Sequence, residues 1–152
     1  AAATFLETPK FEKKRLWISN LTLRRSLKNG EGSVGQETDN QLFIDTTLRQ
    51  FNLPTSVDYG AVIYNPKSDS KKVPELLVQT KLIKDGKVIF QTPDEPVSTK
   101  DQNDLNRIEV KGKIQLKKDL SPGNYIFQII VTDKLANKKS QIATQLIDFE
   151  VF

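Results

Sequence analysis

Leu116–Val151, LKKDLSPGNYIFQIIVTDKLANKKSQIATQLIDFEV, reads as a corner, a long strand, a polar turn and a closing strand. Tyr125, Phe127, Ile129 and Val131 fall at every second position, the period of a pleated strand that lays one face on a core. The opposite face, with Ile126, Gln128, Ile130 and Thr132, is mixed, which predicts partial cover there as well. Just before the strand, Pro122 restricts φ and Gly123 frees it, the combination a sharp corner needs. Leu120-Ser121-Pro122-Gly123-Asn124-Tyr125 has the order of a tyrosine corner, in which a tyrosine opening a late strand returns its hydroxyl to main chain a few residues upstream. The plainer alternative is a core-edge aromatic. In the closing strand, Ile142, Thr144 and Leu146 hold one phase while Ile147, Phe149 and Val151 hold the other. That switch predicts a bulge at Leu146-Ile147.

Working back along the chain, the two-residue period returns several times. Ile108, Val110, Ile114 and Leu116 alternate, with Gly112 in phase. Leu76, Val78, Thr80 and Leu82 form another strand. Asp85-Gly86 turns it back into Lys87–Phe90, because both centres of a type I′ hairpin need φ > 0 and this pair tolerates it. Val57, Tyr59, Ala61 and Ile63 alternate up to Tyr64-Asn65-Pro66. Leu42–Phe51 supplies a short strand, LFIDTT, and a turn-like segment before Pro54. Arg15–Leu23 is the first strand, with Leu16 and Ile18 on one face and Trp17, Leu21 and Leu23 on the other. The change of face around Asn20 predicts a bulge or a change of partner sheet. Asn20-Leu21-Thr22 also matches the glycosylation acceptor pattern, a triplet frequent by chance.

Two polar connections interrupt the strands: 24–41, with three glycines, and 92–106, with two prolines. Loops of this length are uncommon in a compact domain unless they work or move. Short strands at regular spacing, about eight of them, and no helix predict an all-β, immunoglobulin- or fibronectin III-like antiparallel β-sandwich. Residues 1–14, which include Pro9, read as an N-terminal arm or linker, and 15–152 as a single sandwich domain.

Composition narrows the function classes. At 152 residues the chain is long enough for one domain that buries roughly two thirds of its unfolded surface. Its net charge of +4 comes from 23 basic against 19 acidic residues. The lysines are dispersed, which fits a solvated surface and not the concentrated basic stripe that nucleic acid requires, so no nucleic-acid partner is expected. No apolar run approaches the ~18 residues that cross a bilayer, so no membrane span is expected. Histidine is absent, and with it the side chain best suited to proton transfer near neutral pH. Cysteine is absent, which removes thiol nucleophiles, thiolate metal sites and disulfides together. Without methionine the chain is expected to be a processed product, an excised domain or a fragment. Ala1-Ala2-Ala3 fits a remnant of signal cleavage, a linker or a cloning scar.

The candidate chemistry is thin. Asp94-Glu95 and Asp101 with Asp104 are the closest carboxylate pairs, yet they sit in a proline-containing loop with no apolar pocket to raise a pKa. Turn formation and solvation account for them better. Calcium is the more reasonable use of such oxygens, through Glu37 and Asp39 in one long loop or Asp101 and Asp104 in the other, although the spacing matches no EF-hand. Trp17, Tyr59 and Tyr64 are the candidates for a carbohydrate platform, with Trp17 better read as core or sheet-covering. No catalytic, cofactor-binding or metal-ligating residue is assigned, and no cofactor is expected.

The run LSPGNYIFQIIVTDKLANKK, preceded in order by LWISNLTL, AVIYNPKS and KLIKDGKVIF, resembles one bacterial family. That family is the C-terminal sandwich domain of secreted, von Willebrand factor A-related proteins of acidobacterial type, and the likeness covers the chain from Leu16 onward. The resemblance implies an immunoglobulin-like sandwich at the envelope or outside the cell, placed after a metal-binding adhesion domain. It carries no catalytic residues, and the Asp-x-Ser-x-Ser metal motif of the adhesion domain is absent here. The expected role is a non-enzymatic structural or protein-interaction module of an extracytoplasmic bacterial protein, meeting a protein partner or a neighbouring domain. A carbohydrate-binding module is the alternative.

Overall fold

The computed structural model describes residues 15–26 and 44–152. The alternating stretches become ten strands: β1 (Trp17–Ile18), β2 (Thr22–Arg25), β3 (Gln50–Phe51), β4 (Thr55–Tyr64), β5 (Leu76–Lys84), β6 (Lys87–Gln91), β7 (Glu95–Pro96), β8 (Arg107–Leu116), β9 (Gly123–Asp133) and β10 (Ile142–Val151). In the first sheet β4 is central, with β8 along one edge and β1 and β2 along the other. The second sheet runs β3-β10-β9-β5-β6, and β7 pairs with β5 beyond the end of β6. Successive strands change sheet between β2 and β3, β3 and β4, β4 and β5, β7 and β8, and β8 and β9. This Greek-key path makes an all-β, immunoglobulin-like sandwich. Among the described residues the pairing is antiparallel except for β3, which lies parallel to the end of β10.

The core is the set of side chains that alternation turns inward. Val57, Ile63, Ile108 and Leu116 of one sheet face Phe127, Ile129, Val131 and Val151 of the other, all fully buried. Tyr125 opens β9 and donates its hydroxyl to the Ser121 carbonyl at 2.6 Å, so the tyrosine corner is formed. Its ring stacks on Phe149 at 5.7 Å and carries the Lys84 ammonium 4.5 Å from its centre. Gly123 sits at φ +133°, where a side chain is strained, and an added Cβ would also meet Lys84 Nζ. The Tyr125→Phe variant is expected to lose about 1 kcal/mol by forfeiting the corner bond. A urea midpoint equal to wild type at unchanged slope would show that the bond contributes nothing.

Several expectations change. The first strand does carry a bulge, and it keeps its partner. Ser19 donates its N–H to the Val62 carbonyl while its Oγ accepts from the Val62 N–H, both at 2.8 Å. The hydroxyl replaces a ladder acceptor, splits the strand into β1 and β2, and lets Leu16, Ile18, Leu21 and Leu23 all point inward. The short strand expected at LFIDTT is absent from its described part: Ile44–Leu48 is one π-helical turn. Its cause is Asp45, buried and gripped by Arg25 through Nε and Nη2, each 3.1 Å from Oδ1. Residues 42 and 43 lie outside the described residues. The bulge expected at Leu146-Ile147 is also absent, because β10 pairs with β9 without interruption from Ile142 to Val151. β10 carries apolar residues on both faces: Ala143, Ile147, Phe149 and Val151 turn inward, while Ile142 and Leu146 stay exposed outside beside Thr144, Asp148 and Glu150. The outer face of β9 is partly covered, as expected: Gln128, Ile130 and Thr132 are half-buried and Ile126 is exposed. The hairpin at Asp85-Gly86 stands, with φ of 51° and 76°, and Ile89 is the extra residue where the β5–β6 register shifts.

Candidate functional site

The two sheets meet unequally at their sides. Where edge strand β6 faces edge strand β8 they part, and a groove of about 580 Å³ opens between them. Its floor is Leu82, Ile114, Phe127 and the ring of Tyr59, which packs on Phe127 at 4.8 Å. Gly112 permits this packing. A Cβ on Gly112 would occupy the space of the Tyr59 ring, so the glycine of β8 and the tyrosine of β4, opposite each other in register, share one volume.

The mouth is apolar and the rim charged. Val88, Ile89 and Phe90 follow one another along β6 at 49%, 46% and 56% exposure, and the last two line the groove. A strand with one face on a core should alternate, so three successive exposed apolar residues need a reason. Lys111, Lys113 and Lys117 stand along the β8 side, with Glu95 and Asp119 also lining the groove. Burial, and then the Glu95 carboxylate, push the Tyr59 hydroxyl above its ordinary range. A hydroxyl that holds its proton more tightly is a poorer acid.

Tyr125 is raised too, by burial first and then by Asp85. Above the ordinary tyrosine value of 10.0 the unfolded chain gives up these protons while the folded chain keeps them, so stability falls as pH rises from there. Tyrosinate absorbance is expected to show Tyr59 and Tyr125 lagging behind an unfolded reference until the fold opens. A native titration that overlays the unfolded one would contradict their burial.

The residues weighed from sequence are scattered. Glu95 lines the groove, but its neighbour Asp94 is exposed and does not. Asp104 accepts from the Asn106 N–H at 2.9 Å and serves its own turn, with Asp101 exposed nearby. Glu37 and Asp39 lie outside the described residues, and among the described residues no three potential metal ligands converge. The aromatic trio divides: Tyr59 goes into the groove, while Trp17 and Tyr64 pair on the outer face of the first sheet at 4.8 Å and 37°. Two rings tilted on each other do not make a flat platform. Asn20 is exposed in the bulge between β1 and β2 rather than within a strand. A second, smaller cleft of about 340 Å³ opens on the far side between β2 and β10, beneath Thr46 and Arg49. No helix among the described residues is long and apolar enough to cross a membrane.

No model of a known protein family matches the chain. No curated protein matches its sequence. Among solved structures, it is similar to an alkylpurine DNA glycosylase from Pseudomonas fluorescens bound to DNA with an abasic-site analogue, at 11% identity and a TM-score of 0.46. That match takes in 90% of this chain, which spans only 30% of the glycosylase. A CARDB domain from Pyrococcus furiosus, in complex with di-metal ions, is similar over 91% of this chain and 94% of its own, at 9% identity and a TM-score of 0.44. The N-terminal domain of PorA is similar over 87% and 97%, at 10% identity and a TM-score of 0.30.

Proposed function

We propose that the chain is a non-enzymatic interaction module that binds a protein partner, or a neighbouring domain, at the groove between β6 and β8. The run of exposed Val88, Ile89 and Phe90 at the mouth of an apolar groove carries this reading. Such a run costs solubility and invites aggregation unless something covers it. The extracytoplasmic bacterial setting is part of the proposal, supported by the resemblance to the sandwich domains of secreted von Willebrand factor A-related proteins. A glycan ligand is the weaker reading, because Trp17 and Tyr64 form no platform.

Peptide display on the immobilised domain tests the proposal. Selected peptides are expected to lose binding to the Ile89→Asp and Phe90→Asp variants, whose exposed positions leave the core intact. Peptides that bind those variants as well as wild type, or a glycan array that gives ligands where display gives none, would count against it.

A further inference from the structure

The geometry points to strand addition: the edge of β8 from Lys111 to Gln115, unpaired among the described residues, takes up an extended segment of a partner protein in which acidic and apolar residues alternate. This rests on the interaction reading above and names the chemistry of the partner. The direction of each main-chain group in β8 follows from its neighbours. Val62 gives both its N–H and its carbonyl to Ser19, so it faces away from β8, and so must Glu109, its opposite number, face away from β4. Glu109 accordingly meets the Gln102 side chain, which donates to its carbonyl at 3.3 Å and accepts from its N–H at 3.1 Å. That amide does for one residue what a neighbouring strand would do for several. By the two-residue alternation Lys111, Lys113 and Gln115 face the same way, and among the described residues nothing meets their N–H or carbonyl groups. The open run spans about 14 Å by ordinary strand rise, enough for a five-residue segment.

Charge and shape then select the segment. Side chains opposite Lys111 and Lys113 would lie on the outer face beside two ammonium groups. Lys111 already reaches Glu109 at 3.4 Å, and Lys113 makes no ion pair among the described residues. Carboxylates fit there, and a second copy of β8 does not, because it would set lysine against lysine. Side chains opposite Gly112 and Ile114 would turn inward over the groove, towards Ile89, Phe90 and Leu120, where apolar groups fit. Main-chain bonds would supply affinity, and the alternation would supply selectivity.

The test uses the peptide acetyl-SEVEVTS-amide, titrated into the domain and followed by amide-resolved NMR. Strand addition predicts shifts and slowed exchange at the Lys111, Lys113 and Gln115 amides, and binding about tenfold tighter than for acetyl-SKVKVTS-amide. Lys113→Pro removes an N–H that faces away from β4, so the fold is kept while binding falls roughly tenfold. Lys113→Glu is expected to shift the preference towards the lysine peptide. Binding that survives Lys113→Pro but is lost in Phe90→Asp would overturn strand addition while leaving the interaction reading in place. Tighter binding of a short oligothymidylate than of the glutamate peptide would overturn it in favour of plain charge attraction. No binding of either peptide would also overturn it, and if display yields no Phe90-dependent peptide the interaction reading falls as well.

Discussion

Asp133→Ala is expected to destabilise the domain by about 3 kcal/mol. Asp133 ends β9 with its side chain fully buried. Its Oδ2 accepts from the Lys67 N–H at 2.8 Å and its Oδ1 from the Leu135 N–H at 3.1 Å. One carboxylate thus ties the crossover that leaves β4 to the turn that leaves β9, and so joins the two sheets at one end. Alanine would leave two partly buried donors without an acceptor, and each such loss costs about 1–3 kcal/mol. Asp133→Asn keeps one carbonyl oxygen and should fall between alanine and wild type. Urea unfolding with a common slope measures both. An alanine variant within about 0.5 kcal/mol of wild type would mean that water serves those N–H groups equally well.

Gly112→Val comes next, with an expected net loss of about 2 kcal/mol. Two effects compete. Strand propensity favours valine over glycine by up to about 1 kcal/mol. Against it, the new side chain must displace the Tyr59 ring, which is overpacking of about 1–3 kcal/mol together with part of the aromatic contact to Phe127. The clash wins on these magnitudes. A double-mutant cycle isolates it: with Tyr59→Ala the room exists, and the valine should then cost little or even stabilise. Simple additivity of the two losses would show that the ring is not seated over the glycine.

What the sequence made legible was periodic or local. The alternation in β4, β5, β8 and β9 located the core, and Asp85-Gly86 located a hairpin. The short run from Ser121 to Tyr125 was enough for the corner. The misses have physical causes. In β10 two apolar phases predict a bulge because the pattern does not say that Ile142 and Leu146 stay on an exposed outer face. In Ile44–Leu48 the β-branched residues looked like strand, but the Arg25–Asp45 pair, made across 20 residues, holds a turn instead. The carboxylates with the clearest structural work, Asp45 and Asp133, were not among the candidates, since each acts through a contact distant in sequence. The groove does have a signature in the sequence. Val88-Ile89-Phe90 breaks the two-residue alternation, and the structure shows all three to be exposed.

Amide hydrogen exchange along β8 in the isolated domain tests the open side most directly. A two-residue comb is expected, with slow exchange at Val110, Gly112 and Ile114, whose N–H groups bond to β4. Fast exchange is expected at Lys111, Lys113 and Gln115, whose N–H groups face outward. Uniform protection along the whole strand would mean that the edge is already covered, and would contradict an interaction site there.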